Sequence, residues 1–194
     1  EAVSGAAREK LPVIFVIQNN KYGISVTNKE QAANENVAEN FIGFKSLKIV
    51  NVDGTNVFDS WRGMQEALDY VKAGSGPAIL HANCVRMNSH SNSDRQELYR
   101  SAEEIAEAQR FDPLNRLREY LLTHNVMIEE EILAVEIENK KTVEDAGTRV
   151  EDEPDPDPAT ATMYVIPPAL ENQKEDEPIR TPNRDRPTLN VRGA

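Results

Sequence analysis

The chain has 194 residues, of which 33 are acidic and 22 basic, giving a formal net charge of −11. This length allows one domain of ordinary size plus additional segments, and a hydrophobic fraction of 39% is sufficient for a core. The acidity disfavours non-specific nucleic-acid binding, and no apolar run is long enough to cross a membrane. The single cysteine, Cys84, excludes an intrachain disulfide.

The charge is unevenly distributed along the chain. Residues 1–100 contain eleven acidic and eleven basic side chains, whereas residues 101–194 contain twenty-two acidic and eleven basic ones. Eight of the eleven prolines lie between Pro154 and Pro187. Because fixed φ angles and like charges oppose compact folding, we predict a packed domain at 1–100 and an acidic, Pro-rich, disordered linker at 151–187.

Three apolar segments predict the strands of a parallel sheet. The run 13–17 is rich in β-branched residues and predicts a buried strand, and 47–52 and 78–84 predict two more. Between the latter two, apolar residues recur at helical spacing and form one predicted face: Val57, Trp61, Met64, Leu68 and Val71. A strand, a helix and a strand of this length predict a parallel crossover, and therefore an α/β fold.

Helical signals flank this predicted domain. Residues 1–9 resemble the end of a helix, and Thr55 or Asn56 is expected to cap the crossover helix, which Gly74 would end. After residue 100, Ser101 and Glu104 have the spacing of a capping box. Further leucines and isoleucines at helical spacing predict two more helices, so we assign 101–150 to a helical annex of the same domain.

The first motif with chemical content, Asn19–Gly23, follows the first predicted strand. Open α/β sheets bind ligands at the carboxyl ends of their strands. Magnesium prefers oxygen ligands, and an Asn side-chain carbonyl with a backbone carbonyl two residues later would suit it. By composition alone, a polar turn closed by Gly23 remains the favoured interpretation.

The second motif is a long polar loop after the third predicted strand. Its ends carry the opposite charges of Arg86 and Asp94, which can clamp it, and Tyr99 and Arg100 can add hydrogen bonds. His90 would then be held near the middle of the loop, with an imidazole that titrates near neutral pH. From composition alone, a mobile surface loop with a solvated histidine is an equally good interpretation.

Both motifs resemble those of one enzyme family. Residues 1–7, 11–15 and 18–25 look like the second half of the thiamine diphosphate motif, which ends in Asn-Asn. The pattern Arg-x-x-x-His-Ser-x-Ser-Asp-x-x-x-x-Tyr-Arg over 86–100 is similar to the regulatory loop of the decarboxylating component of 2-oxoacid dehydrogenases, in its alpha-type part. The resemblance implies part of a thiamine diphosphate-binding parallel-sheet fold.

The resemblance also implies roles for individual residues. Mg²⁺ would be bound by the side chain of Asn20 and the backbone carbonyl of Tyr22. His90 would be the catalytic histidine that contacts the cofactor diphosphate. The cofactor-binding residues implied are Asn20, Tyr22, Gly23, Ile24 and His90. The residues implied to order the loop are Arg86, Ser91, Asp94, Tyr99 and Arg100, with Ser91 at the position that is phosphorylated in some members.

The activity implied is oxidative decarboxylation of a branched-chain 2-oxo acid or pyruvate, with transfer of the acyl group to the lipoyl groups of an acyltransferase core. The implied partners are a beta-type part, fused or separate, and that lipoylated core, in the bacterial cytoplasm or the mitochondrial matrix. Two alternatives stay open. One is another thiamine diphosphate enzyme such as acetoin dehydrogenase, and the other is a non-catalytic α/β interaction module.

The family pattern also predicts what surrounds the chain. The Gly-Asp-Gly that opens the cofactor motif is absent, and by the family spacing it would lie just upstream of Glu1. Residues 188–194 resemble the start of a beta-type, pyrimidine-binding domain. We therefore expect a piece of a fused alpha-beta polypeptide that is inactive in isolation.

The remaining candidates have ordinary structural interpretations. His81 lies on a predicted buried strand and is expected to be a core residue with its polar atoms satisfied. His124 follows a predicted helix and is expected to meet its last carbonyls. Cys84 has no neighbouring base or second cysteine, so a structural thiol is favoured.

Overall fold

The computed structural model describes residues 1–163 of the chain. These residues form five strands and six α-helices, with short 3₁₀ turns between some of them. The strands are β1 Ile14–Asn19, β2 Tyr22–Gly23, β3 Val26–Thr27, β4 Lys48–Asp53 and β5 Ala78–Asn83. The helices are α1 Ala2–Glu9, α2 Asn28–Gln31, α3 Val57–Lys72, α4 Ala102–Gln109, α5 Pro113–Thr123 and α6 Glu129–Glu151.

The central element is a parallel sheet in the order β1-β5-β4, with β2 and β3 forming a separate antiparallel hairpin. The parallel α/β class predicted from the sequence is therefore confirmed. The register aligns the strand ends, because Asn83 of β5 pairs with Asn19 of β1 on one side and Asp53 of β4 on the other. Three polar side chains thus stand in one row at the carboxyl edge of the sheet.

Helix α3 packs on the sheet through its smallest side chains. Its buried residues are Gly63, Ala67 and Val71. A Cβ atom built on Gly63 would lie 2.2 Å from Cγ1 of Val52, so the helix backbone approaches the sheet as closely as glycine permits. Val50, Leu80 and other aliphatic residues of β4 and β5 complete this core.

The predicted face of this helix was partly wrong. Val57 and Trp61 were assigned to the apolar face of the helix, but they are 47% and 68% exposed. The contact face is rotated toward Gly63 and Ala67, because close approach to the sheet selects small residues, which a search for large apolar residues overlooks. Val71 does lie in the core, as predicted.

Strand β1 was predicted to be buried, and this too needs correction. Val16 is 53% exposed, although Asn19 at the end of the strand is buried. Within the described residues β1 is an edge strand of the sheet and pairs only with β5. Some apolar side chains of β1, such as Val16, are therefore not buried by any of the described residues.

The helix ends largely follow the sequence signals. Asn56 caps α3 by accepting hydrogen bonds from the amides of Phe58 and Asp59. Gly74 follows the helix with φ +69°, a conformation that favours glycine. The Ser101 hydroxyl accepts from the amide of Glu104 at the start of α4, which is half of the predicted capping box.

The described part of the chain divides into two units, Glu1–Val126 and a second unit that begins at Met127. The first contains the sheet, α4 and α5. The second contains α6, and its residues 151–163 are exposed and include a 3₁₀ turn at Pro158–Thr160. The rest of the predicted linker, 164–187, and the predicted start of a beta-type domain, 188–194, lie outside the described residues.

None of the helices within 1–163 has both the length and the apolar character needed to cross a membrane.

Candidate functional site

The Asn-Asn turn leaves the carboxyl edge of the sheet at the end of β1. Asn19 is 8% exposed and makes four polar contacts with its side chain. Its Oδ1 accepts from the amide of Lys21 at 3.1 Å and from Nδ2 of Asn28 at 3.2 Å. Its Nδ2 donates to the carbonyl of Glu35 at 3.0 Å and faces Nε2 of His81 at 3.2 Å. The buried side chain of Asn19 therefore holds the backbone of the turn in place.

Asn20, the predicted metal ligand, is directly connected to Tyr22. Its Oδ1 accepts a hydrogen bond from the amide of Tyr22 at 3.0 Å. A side-chain carbonyl can accept twice, so this oxygen has capacity for one further partner. Two neutral oxygens suit Mg²⁺ when phosphate and other ligands complete the shell. Within residues 1–163 no group of three or more His, Cys, Asp or Glu side chains is placed so that it could hold a metal ion.

Gly23 and Ile24 continue the turn into the β2–β3 hairpin. A Cβ atom on Gly23 would come within 2.5 Å of Nε2 of Gln31, whose amide donates to the carbonyl of Val26. Ile24 has φ +57° and is 54% exposed. Its backbone carbonyl accepts from Arg86, and this contact joins the first motif to the second.

Arg86 lies between the turn and the long loop. Its Nη1 donates to the carbonyl of Ile24 at 2.6 Å, and its Nη2 donates to the hydroxyl of Tyr99, also at 2.6 Å. The guanidinium lies over the rings of Tyr22 and Tyr99, 5.0 and 5.5 Å from their centroids. Nε of Arg86 is buried without a hydrogen-bond partner in the structure. A single cation thus contacts both predicted motifs.

Asp94 and Tyr99 hold the middle of the loop. The Tyr99 hydroxyl donates to Oδ2 of Asp94 at 2.5 Å, and the backbone amide of His90 donates to the same oxygen at 2.7 Å. These two bonds, in that order, lower the pKa of Asp94. Desolvation and the bond to Asp94 raise the pKa of Tyr99. The predicted clamp therefore connects Arg86 to Asp94 through the Tyr99 hydroxyl.

Arg100 closes the loop from the buried side. Arg100 is only 6% exposed. Its Nη1 donates to the carbonyl of Arg86 at 2.9 Å and to Oε1 of Gln96 at 2.8 Å. Its Nε donates to Oε1 of Glu104 at 3.0 Å. The same carboxylate oxygen accepts from the hydroxyl of Tyr22 at 2.8 Å. Desolvation and the Glu104 bond raise the pKa of Tyr22.

His90 and Ser91, the predicted catalytic and phosphorylated residues, lie on the exposed part of the loop. The backbone of His90 is held by Asp94, and the Ser91 hydroxyl lies 3.2 Å from that of Ser93. The remaining predicted site residues, apart from Gly23, are linked by direct contacts into one network. Gly23 lies on the turn that carries Tyr22.

Sequence reasoning missed several members of this arrangement. Glu104 was assigned to a capping box, but its carboxylate bonds Tyr22 and Arg100. Asn19 was grouped with Asn20 without a role of its own. The signal available was the spacing of Arg100 and Glu104, four residues apart on a helical approach, which favours a charge pair.

The remaining histidines and Cys84 behave largely as expected. His81 is fully buried, and burial followed by the charge of Lys21 lowers its pKa. Its polar atoms are not all satisfied, because Nδ1 has no hydrogen-bond partner in the structure. Nδ1 of His124 lies 3.0 Å from the carbonyl of Tyr120 at the end of α5. Burial raises the pKa of the Cys84 thiol, in agreement with the structural role expected for this cysteine.

Together, the parallel sheet, the polar turn at its carboxyl edge and the braced loop define an α/β protein whose candidate site is built from two segments. The sequence model of one family, described as the dehydrogenase E1 component, matches residues 1–159. The chain belongs to this family.

Individual relatives agree with this assignment. The chain is 33% identical over 165 residues to the 2-oxoisovalerate dehydrogenase subunit alpha of Bacillus subtilis, covering 85% of this chain and 50% of that protein. It is 33% identical over 137 residues to the pyruvate dehydrogenase E1 component subunit alpha of Mycoplasma pneumoniae, covering 69% and 38%. A mitochondrial relative, the same-named subunit of Solanum tuberosum, is 33% identical over 171 residues, covering 85% and 42%. The chain thus spans half or less of the length of these relatives.

Proposed function

We propose that this chain forms the diphosphate- and metal-binding part of a thiamine diphosphate-dependent 2-oxoacid dehydrogenase. Its reaction is the oxidative decarboxylation of a branched-chain 2-oxo acid or pyruvate, with acyl transfer to lipoyl groups of an acyltransferase core. The catalytic unit includes a beta-type part, fused or separate. The enzyme would act in the bacterial cytoplasm or the mitochondrial matrix, and the occurrence of bacterial and mitochondrial relatives supports this proposal.

The observation that carries the proposal is the position of Arg86. Its guanidinium bonds the carbonyl of Ile24 in the turn and, through Tyr99 and Asp94, is connected to the backbone of His90. A site for one cofactor requires the two segments to be held in a fixed relation, and this network provides it. A polar turn and an independent surface loop would have no need of such a link.

Different residues of the chain would bind different parts of the cofactor and its metal ion. Asn20 and the carbonyl of Tyr22 would supply oxygen ligands to Mg²⁺, which in turn would hold the diphosphate. His90 would donate a hydrogen bond to that diphosphate from the exposed loop. The cofactor, when bound, supplies the nucleophilic carbon that adds to the 2-oxo group. The contribution of the chain is therefore to bind and orient.

The metal assignment is tested by Asn20→Ala in the complete protein with its partner chains. Loss of a charge-assisted oxygen contact costs about 2 kcal/mol, so we expect Mg²⁺ affinity in the presence of thiamine diphosphate to fall at least tenfold. Asn20→Asp retains an oxygen and should bind Mg²⁺ within about threefold of the parent. Isothermal titration calorimetry measures the Mg²⁺ affinity of both variants. Asn115→Ala, which changes an exposed asparagine, is the control for effects of mutation that do not involve the site. An affinity change below twofold in Asn20→Ala would reject the metal role.

The loop assignment is tested by comparing Ser91→Glu with the neutral, equally long Ser91→Gln. If His90 approaches the diphosphate, a carboxylate at position 91 stands about 5 Å from existing negative charge. At an effective dielectric near 20 this repulsion is about 3 kcal/mol. Turnover with the lipoylated acyltransferase should therefore fall at least tenfold further in the Glu variant. Equal rates for the two variants would place this loop away from the cofactor.

A further inference from the structure

The turn that carries Asn20 and Tyr22 rests on a buried pair of polar side chains. His81, at the centre of β5, is fully buried, and Asn19 is 8% exposed. Nε2 of His81 lies 3.2 Å from Nδ2 of Asn19. Strand pairing aligns His81 with Ile17, two positions before Asn19, so the ring reaches along the sheet toward the turn.

The hydrogen-bond partners of Asn19 determine which atom faces His81. The carbonyl of Glu35 can only accept, and the backbone amide of Lys21 can only donate. These two contacts identify the oxygen and the nitrogen of the Asn19 amide without reference to the histidine. The group facing Nε2 is therefore an N–H donor. Nε2 must be an unprotonated acceptor, and the neutral ring carries its proton on Nδ1.

Asn19 in turn controls the backbone between the proposed metal ligands. Lys21 has φ +71°, a left-handed conformation that residues with a side chain rarely adopt. The hydrogen bond from its amide to Oδ1 of Asn19 stabilises this conformation. Because Lys21 lies between Asn20 and Tyr22, its φ sets where the Asn20 side chain and the Tyr22 carbonyl stand relative to each other.

We propose that His81 is a positioning residue for the metal-binding turn, acting through Asn19. By accepting the second N–H of Asn19, the imidazole holds the amide in the orientation that accepts from Lys21. The inference rests on the proposed function, because that proposal gives the turn a metal ligand set whose geometry matters. A residue that only filled the core would need neither a nitrogen acceptor nor this tautomer.

The test compares two variants of His81 in the complete protein. His81→Gln can present an amide oxygen toward Asn19, whereas His81→Leu fills the volume without an acceptor. We expect the Leu variant to bind Mg²⁺ at least tenfold more weakly and the Gln variant to stay within threefold of the parent. Hydrogen exchange followed by mass spectrometry should show the segment 19–23 exchanging at least tenfold faster in Leu, with the peptide containing Leu80 unchanged.

The outcomes separate this inference from the proposed function. Unchanged Mg²⁺ affinity and unchanged exchange of 19–23 in His81→Leu would overturn the positioning role. If Asn20→Ala leaves Mg²⁺ affinity intact, the metal site itself fails, and the exchange of 19–23 still decides whether His81 holds the turn. Should His81→Leu not fold, nitrogen magnetic resonance of the parent labelled at histidine decides. A proton on Nδ1 of His81 supports the inference, and a proton on Nε2 overturns it.

Discussion

Two regions of the protein are stabilised in different ways. One is the core formed by β4, α3 and β5, and the other is the polar network formed by the turn at 22–24 and the segment 86–104. In the core, Gly63 and Ala67 bring the helix backbone against aliphatic side chains, and the contacts are non-directional. In the network, Arg86 and Arg100 supply directed hydrogen bonds to backbone carbonyls, a tyrosine hydroxyl and the Glu104 carboxylate. The core should therefore be sensitive to added volume, and the network to the loss of a donor.

The largest effect is expected from Gly63→Ala. Its new Cβ would meet Cγ1 of Val52 at 2.2 Å, so helix or sheet must shift. Overpacking of this kind should lower the free energy of unfolding by about 2–3 kcal/mol, even though alanine favours helices. Urea denaturation measures this change. Gly5→Ala in α1 is the matched control, because its Cβ would meet nothing within 4 Å and should be neutral or stabilising by up to about 1 kcal/mol. Equal behaviour of the two variants would contradict the close approach of α3.

Arg100→Met should have a smaller and more local effect. Methionine preserves the apolar stem but removes the donors to the Arg86 carbonyl and to Gln96, at a cost of about 2 kcal/mol. We expect faster hydrogen exchange across 86–100 with little change in β4 and β5. Arg110→Met provides the control, since its pair with Glu107 is exposed at the surface and should contribute close to nothing. Uniform loosening of the whole unit would show that network and core are not separable.

The smallest effect expected is a dependence of stability on pH that originates in His81. Burial, then the Lys21 charge, lowers its pKa in the folded state, while Glu39 acts in the opposite direction. Because the unfolded chain binds the proton more readily, this stabilisation is fully present above the ordinary histidine pKa of about 6.5. It is lost as the pH falls below that value, with a slope of at most about 1.4 kcal/mol per pH unit.

His81→Gln removes this titration and provides the comparison. Denaturation of parent and variant at pH 7 and pH 5 should show a steeper loss for the parent. Carboxylates with lowered pKa, such as Asp94, contribute only at more acidic pH and act equally in both proteins. Parallel slopes between pH 7 and pH 5 would indicate that His81 does not titrate as a buried neutral group.

Local signals were sufficient for much of the fold. The predicted strands 47–52 and 78–84 agree with β4 and β5 within a residue, and the helix between them begins after its predicted Asn56 cap. Strand propensity, helical spacing and capping all act over a few residues, so they can be recognised without knowledge of distant contacts. The family motifs likewise marked the turn at Asn20 and the loop at His90 in advance.

The contacts that make these segments one site could not be predicted in the same way. The bond from Arg86 to Ile24, that from Tyr22 to Glu104 and the pairing of His81 with Asn19 join residues more than sixty positions apart. Which donor meets which acceptor depends on the strand register, which places Asn19 beside Asn83. The orientation of α3 could not be predicted either. The helix packs on the sheet through a face that includes the small residues Gly63 and Ala67, and for this reason Val57 and Trp61 were assigned to the wrong face.

By itself, the sequence determined the parallel α/β class, the order of the three sheet strands and the crossover helix, the family and the two segments that carry the proposed chemistry. These follow from short-range periodicity and from residue patterns that are readable in one dimension. Only the tertiary structure decided that Arg86 links the two segments, that Tyr99 stands between Arg86 and Asp94, and that Asn19 has a task distinct from Asn20. The physical reason is that hydrogen bonds are directional and short-ranged, so their partners are set by how strands and helices pack.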